Sequence, residues 1–137
     1  MWWEQIDGLA NYFAALGISF QIIDDTLNLK GFKDGLKTKG EDITAGKITY
    51  PMARAFSMLS KRARRELYSI LQSKTEDIEV IARAIALMDS CQAIDLAEKE
   101  ARTSLEAAWR RLDPLVEDSM VKINLRAFSW YVLDRTY

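Results

Sequence analysis

The 137-residue chain contains no histidine, one cysteine and two prolines. The lack of histidine excludes Ser-His and Cys-His catalysis and most zinc sites. The single cysteine, Cys91, excludes an internal disulfide framework, which fits a reducing, cytoplasmic location. A formal net charge of −1 gives no reason to expect nucleic-acid binding. The basic region typical of a signal peptide is also missing, and we expect no apolar run long enough to span a membrane.

The residues that are present favour a helical fold. Apolar residues make up 49% of the chain, which excludes disorder, and residues 1–137 form one domain at most. The apolar residues recur at helical spacing, and no strand pattern is seen. The predicted class is therefore all-α, a helical bundle. We expect helices over residues 4–29, from Pro51, over 62–72, after a capping box at 73–76, over 90–112 and over 115–134.

The first of these helices has an unusual composition. It is apolar almost all round between Tyr12 and Ile23, which predicts a central, buried helix. Residues 30–48 follow as a loop rich in glycine and lysine. That is long for a connection, which points to a functional segment. In the helix after the capping box, we expect Ile78, Ile81, Ala82 and Ile85 to face inward.

Polar residues interrupt the apolar helix near its C-terminal end. Gln21, Asp24, Asp25 and Asn28 lie at i, i+3, i+4 and i+7, so they share one helix face. Adjacent carboxylates on an apolar helix are costly unless a positive charge meets them. Mg²⁺ is the natural candidate, because it is bound by a few carboxylates together with substrate phosphate oxygens. The alternative is an ordinary helix end with acidic side chains in solvent, where the macrodipole disfavours aspartate.

Lysines follow within the glycine-rich loop. Lys37 and Lys47 are the best candidates for diphosphate contacts, because lysine meets phosphate as a mobile point charge. A lysine-rich loop usually has no function beyond contact with solvent. In this chain, the position of the loop directly after the aspartates favours a role in binding diphosphate. Glu41 and Asp42 would orient the lysines or join the metal site through water. Together these residues outline a site for a diphosphate ester.

The same residues resemble the C-terminal half of the trans-isoprenyl diphosphate synthase (polyprenyl synthetase) family. That family has Phe-Gln followed by an Asp-Asp-x-x-Asp motif, then Lys-x-x-Gly-x-Asp-x-x-x-Gly-Lys-x-x-x-Pro. The matching segments here are Phe20-Gln21, Asp24-Asp25-Thr26-Leu27-Asn28, Lys37-Thr38-Lys39-Gly40-Glu41-Asp42, Gly46-Lys47 and Pro51. The combination is long and ordered, and weaker similarity continues to the end of the chain.

The resemblance implies an all-α isoprenoid-synthase-type fold, with helices around a central cavity. It implies a transferase of isoprenoid biosynthesis, which joins an allylic diphosphate head-to-tail to isopentenyl diphosphate and depends on Mg²⁺. Carried over, Asp24 and Asp25 would bind the metal, and Lys37 and Lys47 would bind the allylic diphosphate. Gln21 would lie near the reacting centre, so Gln21 and Lys37 are the candidate catalytic residues.

Two departures from the family pattern bear on function. Asn28 replaces the last aspartate of the motif; it stays a candidate metal ligand, and it resembles the pattern of eukaryotic geranylgeranyl diphosphate synthases. The family's first aspartate-rich motif and its residues for isopentenyl diphosphate are missing. We therefore expect an incomplete domain that is inactive alone. We also expect it to pair with its missing N-terminal half or with another copy, as a homo-oligomer.

Two alternatives stay open. A terpene cyclase, or a bifunctional cyclase-prenyltransferase, uses the same ionisation chemistry without isopentenyl diphosphate. A non-catalytic partner subunit of a synthase would fit Asn28 and the missing motif, but it has no physical need for the aspartates and lysines.

Overall fold

The computed structural model describes residues 2–31 and 39–135. Within these ranges all regular secondary structure is helical, which confirms the predicted class. The helices are α1 (Trp2–Lys30), α2 (Glu41–Thr44), α3 (Tyr50–Met58), α4 (Lys61–Ser73), α5 (Ile78–Ser90), α6 (Ala93–Leu112) and α7 (Met120–Asp134), with one 3₁₀ turn at Asp113–Leu115. Pro51 lies in the first turn of α3, as expected, because its missing N–H has no partner to lose there.

The start of α5 differs from the expected capping box. Ser73 ends α4 instead, where its hydroxyl donates to Ile70 O within the same helix, and Lys74 follows in the left-handed conformation. Asp77 is the cap of α5, since its side chain accepts from Glu79 N at 2.9 Å. Ile81 and Ile85 are buried as expected, whereas Ile78, which is the first residue of α5, and Ala82 are exposed.

The chain divides into two compact units. The first contains α1 up to Ile23 together with Lys99–Arg135, and the second contains Asp24–Glu98. In the first unit, Ser19 Oγ donates to Ala101 O at 3.1 Å, and the Tyr12 hydroxyl donates to Leu125 O. In the second unit, one apolar core is drawn from α1, α2, α3, α4, α5 and the start of α6; its fully buried members include Leu29, Ile43, Met52, Leu67, Met88 and Ile94.

The expectation that α1 is buried all round is wrong. Within the first unit only one stripe of the helix is covered, and it includes Tyr12, Leu16 and Ser19. Phe13 and Ile18 on the same helix are 52% and 60% exposed. Apolar composition indicates that a surface needs cover, but it does not say which polypeptide supplies the cover.

Helix α7 also leaves apolar side chains exposed in the first unit. It begins at Met120 rather than near residue 115, after Ser119, whose Oγ accepts from Lys122 N at 3.2 Å. Its exposed large apolar residues are Met120, Val121, Ile123, Phe128, Trp130 and Tyr131. Exposed apolar residues are therefore present on both α1 and α7 of this unit. Their number exceeds the few scattered ones that are ordinary on a protein surface.

Helix α1 is long and apolar enough to cross a membrane by length and composition. It has 29 residues, and its most apolar stretch has a mean hydropathy of 1.3. The expectation that no apolar run reaches this length is therefore wrong by this measure. The measure is weak, since the core helix of a soluble protein also passes it, and 33% of the stretch is buried in this fold.

Candidate metal and diphosphate site

The polar residues near the end of α1 differ in exposure. Asp24 is half-buried, while Asp25 and Asn28 are each 5% exposed, and all three belong to the second unit. Gln21 is exposed on the same helix, in the first unit. A buried carboxylate is destabilising unless hydrogen bonds or positive charge compensate it, so Asp25 is the least ordinary of these residues.

Asp42 connects the predicted lysine to the aspartate pair. Lys47 Nζ lies 3.8 Å from Asp42 Oδ1, and Lys47 N donates to Asp42 O at 2.9 Å. The Lys47 side chain is 53% exposed, so its ammonium group is accessible to a ligand. This pairing agrees with the expectation that Asp42 orients a lysine.

Asp42 is partly buried and has several charged side chains as neighbours. Burial raises the pKa of Asp42 above its ordinary value; Lys47 acts in the opposite direction, while Asp25, Asp24 and Glu41 raise the pKa further. These contributions place the carboxyl groups of the two α1 aspartates within electrostatic reach of Asp42. A cation between neighbouring carboxylates would offset their mutual repulsion.

The aspartates fit a metal ion that is shared with a ligand. Among the residues that the structure describes, no three histidine, cysteine, aspartate or glutamate side chains are arranged to hold a metal ion by themselves. Mg²⁺ does not require such a cage, because it is usually held by one or two carboxylates with waters and substrate phosphates. The Asp24-Asp25 pair, whose charges act on the nearby Asp42, suits that kind of site.

Asn28 has a contact that the sequence did not predict. Its side-chain Oδ1 accepts from Asp42 N at 3.1 Å, and its backbone oxygen accepts from Gly40 N at 2.8 Å. The oxygen proposed as a metal ligand is therefore already a hydrogen-bond acceptor. Lys37, the other loop lysine predicted to bind diphosphate, lies outside the described residues.

Arg135 is a second residue whose role the sequence analysis missed. It is 6% exposed, its guanidinium carbon lies 3.5 Å from the centre of the Phe20 ring, and it donates to Phe20 O at 2.8 Å. These contacts tie the residue after α7 to the turn of α1 that carries Gln21. A basic residue at a helix end is too common for sequence to indicate this contact.

A cavity of 690 Å³ lies in the second unit, against α2 and α5. Its lining includes Glu41 and Thr44 on one side and Ile81 and Ile85 on the other. Glu41 is the predicted site residue among the lining residues that the structure describes; Gln21, Asp24, Asp25, Asn28 and Lys47 do not line the cavity. The two aspartates of α1 therefore do not form the wall of this cavity.

Comparison with known proteins agrees with the helical fold and with the family resemblance of the sequence. The sequence pattern of the polyprenyl synthetase family matches residues 3–88. A short chain isoprenyl diphosphate synthase from Methanothermobacter thermautotrophicus is 32% identical over 135 residues, which are 98% of this chain and 41% of that protein. A geranylgeranyl pyrophosphate synthase from Aspergillus fumigatus is 39% identical over 93 residues, 62% of this chain and 24% of that protein.

A solved structure gives the same result. The geranylgeranyl pyrophosphate synthetase from Pyrococcus horikoshii superposes with a TM-score of 0.86 at 26% identity, over 96% of this chain and 40% of that one. The fold and the motif together define a helical protein of the isoprenyl diphosphate synthase type. The chain belongs to the polyprenyl synthetase family. It spans about two fifths of the length of the first of these relatives and of this solved structure.

Proposed function

We propose that this chain is the metal- and diphosphate-binding part of a trans-prenyltransferase, which extends an allylic diphosphate with isopentenyl diphosphate. The observation that carries the proposal is the charge arrangement in the second unit. Two neighbouring carboxylates, Asp24 and Asp25, act electrostatically on Asp42, which in turn pairs with the exposed Lys47. A diphosphate bridged by Mg²⁺ needs both signs of charge in one place.

Each residue has a distinct role in this proposal. Asp24 and Asp25 would hold Mg²⁺, and the bound ion neutralises diphosphate oxygens and so makes diphosphate a better leaving group. Lys47 binds the diphosphate as a positive point charge, and Asp42 orients its ammonium group through their ion pair. Lys37 would supply a second positive charge, and Gln21 would face the developing charge on the allylic carbon.

The rest of the active site must come from other polypeptide. We propose that the uncovered apolar side chains of the first unit, such as Phe13 and Phe128, pack against the part of the relatives that this chain does not match. That part would also bind isopentenyl diphosphate. A second copy of this chain is the alternative occupant. The cytoplasmic location stays a prediction, which rests on the single cysteine.

A chimeric enzyme tests the proposed activity. This chain replaces the 135 residues that it matches in the Methanothermobacter synthase. Purified chimera is then supplied with an allylic diphosphate, labelled isopentenyl diphosphate and Mg²⁺. We expect a longer linear prenyl diphosphate from the chimera and none from the 137-residue chain alone.

Variants of the chimera connect its activity to the proposed residues. Asp24→Ala combined with Asp25→Ala should abolish condensation, whereas Asp7→Ala, an exposed aspartate on the same helix, should preserve it. A folded chimera without product would contradict the proposed activity. A cyclic hydrocarbon from the allylic diphosphate alone would instead identify a terpene cyclase.

A further inference from the structure

Helix α2 begins at a residue that is unable to cap it. Gly40 occupies the cap position with φ of 83°, in the left-handed region, and it contributes no side-chain hydrogen bond. A Cβ atom at Gly40 would lie 2.4 Å from Ile81 Cγ2, so the site has no room for serine, aspartate or another capping residue. The first amides of α2 therefore need an acceptor from another part of the chain.

Asn28 supplies this acceptor from 14 residues earlier. Its Oδ1 accepts from the amide of Asp42, the second residue of α2, at 3.1 Å. Its backbone oxygen accepts from the amide of Gly40 at 2.8 Å. Asn28 is 5% exposed, and through these two bonds one residue of α1 fixes both the entry into α2 and its first turn.

The constraint extends from Asp42 to Lys47. The backbone oxygen of Asp42 accepts from Lys47 N at 2.9 Å, and its carboxyl pairs with Lys47 Nζ at 3.8 Å. We infer that Asn28 is a positioning residue, which caps α2 from a distance and thereby holds Lys47 in place for diphosphate. This role replaces metal ligation as the function of the last residue in the aspartate motif. Only its consequence for diphosphate binding rests on the proposed function.

Amide hydrogen exchange in metal-free protein tests the inference without a ligand. In the 137-residue chain with EDTA, Asn28→Leu removes the acceptor but keeps the approximate shape of the side chain. We expect exchange at the Asp42 and Lys47 amides to become roughly tenfold faster, while the Ala53 amide, bonded to Thr49 O at 2.9 Å, is unchanged. Asn28→Asp keeps an acceptor oxygen and should restore slow exchange at both amides.

Two controls keep this test decisive. Asn11→Leu makes the same substitution at an exposed position of α1 and should leave both amides unchanged. Circular dichroism establishes that each variant is folded, and Asn28→Asp provides the comparison if Asn28→Leu is not. Unchanged exchange in Asn28→Leu, a change confined to the Asp42 amide, or failure of Asn28→Asp to restore both would overturn the inference.

Pyrophosphate binding tests the consequence for the site. At saturating Mg²⁺, Asn28→Leu should weaken pyrophosphate binding about tenfold, and adding Lys47→Ala should weaken it much less than in the wild-type chain. Weaker binding at low Mg²⁺ that becomes equal to wild type at saturating Mg²⁺ would mark Asn28 as a metal ligand and overturn its positioning role. If the wild-type chain binds no pyrophosphate, the proposed function fails, whereas the exchange experiment still decides the cap.

Discussion

Lys47 and Asp42 form an ion pair of 3.8 Å next to the motif that carries two adjacent aspartates. The pair is unequal, because the Lys47 side chain is 53% exposed while that of Asp42 is 21% exposed. Asp42 is thus the fixed partner, and Lys47 keeps the freedom to meet a ligand. This relationship joins the loop to the end of α1 and underlies the predictions about binding.

Replacing Lys47 should weaken diphosphate binding more than replacing another lysine. Lys47→Ala removes a charge-assisted contact, for which we expect a loss of roughly tenfold or more in pyrophosphate affinity at saturating Mg²⁺. The measurement is isothermal titration calorimetry. Lys99→Ala, an exposed lysine on α6, is the matched control and should bind normally. Equal affinity in both variants would remove Lys47 from the site.

Gly40 should tolerate no side chain. Gly40→Ala places a Cβ 2.4 Å from Ile81 Cγ2 and holds an alanine at φ of 83°. We expect a loss of about 2–4 kcal/mol in the free energy of unfolding, measured with urea. Gly17→Ala is the matched control, since nothing lies within 4 Å of its added Cβ; a helical alanine there should gain about 0.5–1 kcal/mol. Similar effects at both positions would contradict the fold around Gly40.

Glu106 should make the first unit sensitive to acid. Arg126 donates to both carboxylate oxygens of Glu106 at 2.8 Å, and these hydrogen bonds hold the pKa of Glu106 below its ordinary value. A lowered folded-state pKa means that the carboxylate stabilises the fold above the ordinary glutamate range. This stabilisation is lost as the pH falls through that range towards the lowered pKa.

The variant Glu106→Gln should flatten this dependence. We expect it to lower the free energy of unfolding at pH 7 by up to about 1 kcal/mol, because the ion pair is partly exposed. In acid, the free energies of unfolding of the variant and the wild type should differ less. Urea unfolding at a series of pH values measures both effects. Glu117→Gln, at an exposed position, should retain the wild-type profile. An unchanged acid profile in Glu106→Gln would refute the role of this ion pair.

The uncovered apolar residues of the first unit should cause the chain alone to self-associate. Phe128 is 60% exposed and packs edge-on against Tyr131 at 6.4 Å between ring centres. Phe128→Lys should reduce the association constant by roughly tenfold or more, because burial of this ring contributes much of the driving force. Sedimentation velocity at several concentrations measures the effect.

A control with the same added charge separates burial from electrostatics. Thr103→Lys introduces the lysine at an exposed position of α6 in the same unit. It should self-associate like the wild-type chain. If wild-type chain is monomeric at all concentrations tested, the apolar residues of this unit do not drive pairing between copies.

The helices were largely predictable because their patterns are local. The extent of α1 and the place of Pro51 follow from periodicity and from the geometry of a first turn. The start of α5 was wrong because Ser73 and Asp77 both have capping chemistry, and choosing between them depends on where α4 ends. The prediction that α1 is buried was wrong because its burial depends on residues far along the chain. The composition of α1 itself gives no information about those residues.

The residues of the candidate site also differ in how well the sequence predicts them. Asp24 and Asp25 stand out by their spacing on an apolar helix, and the family motif adds Lys47. The contact between Asn28 and Asp42 could not be predicted from the sequence, because it depends on how the chain returns to the end of α1 after a loop. The motif thus indicates a metal ligand at Asn28, whereas in the fold the amide oxygen of Asn28 accepts from Asp42 N.

The most direct test of the account is calorimetric titration of pyrophosphate into the 137-residue chain, with and without Mg²⁺. We predict binding that requires Mg²⁺ and that is lost when Asp24→Ala and Asp25→Ala are combined, while Asp7→Ala binds like wild type. Binding that is equal with and without Mg²⁺, or that survives removal of both aspartates, would contradict a site built on this pair.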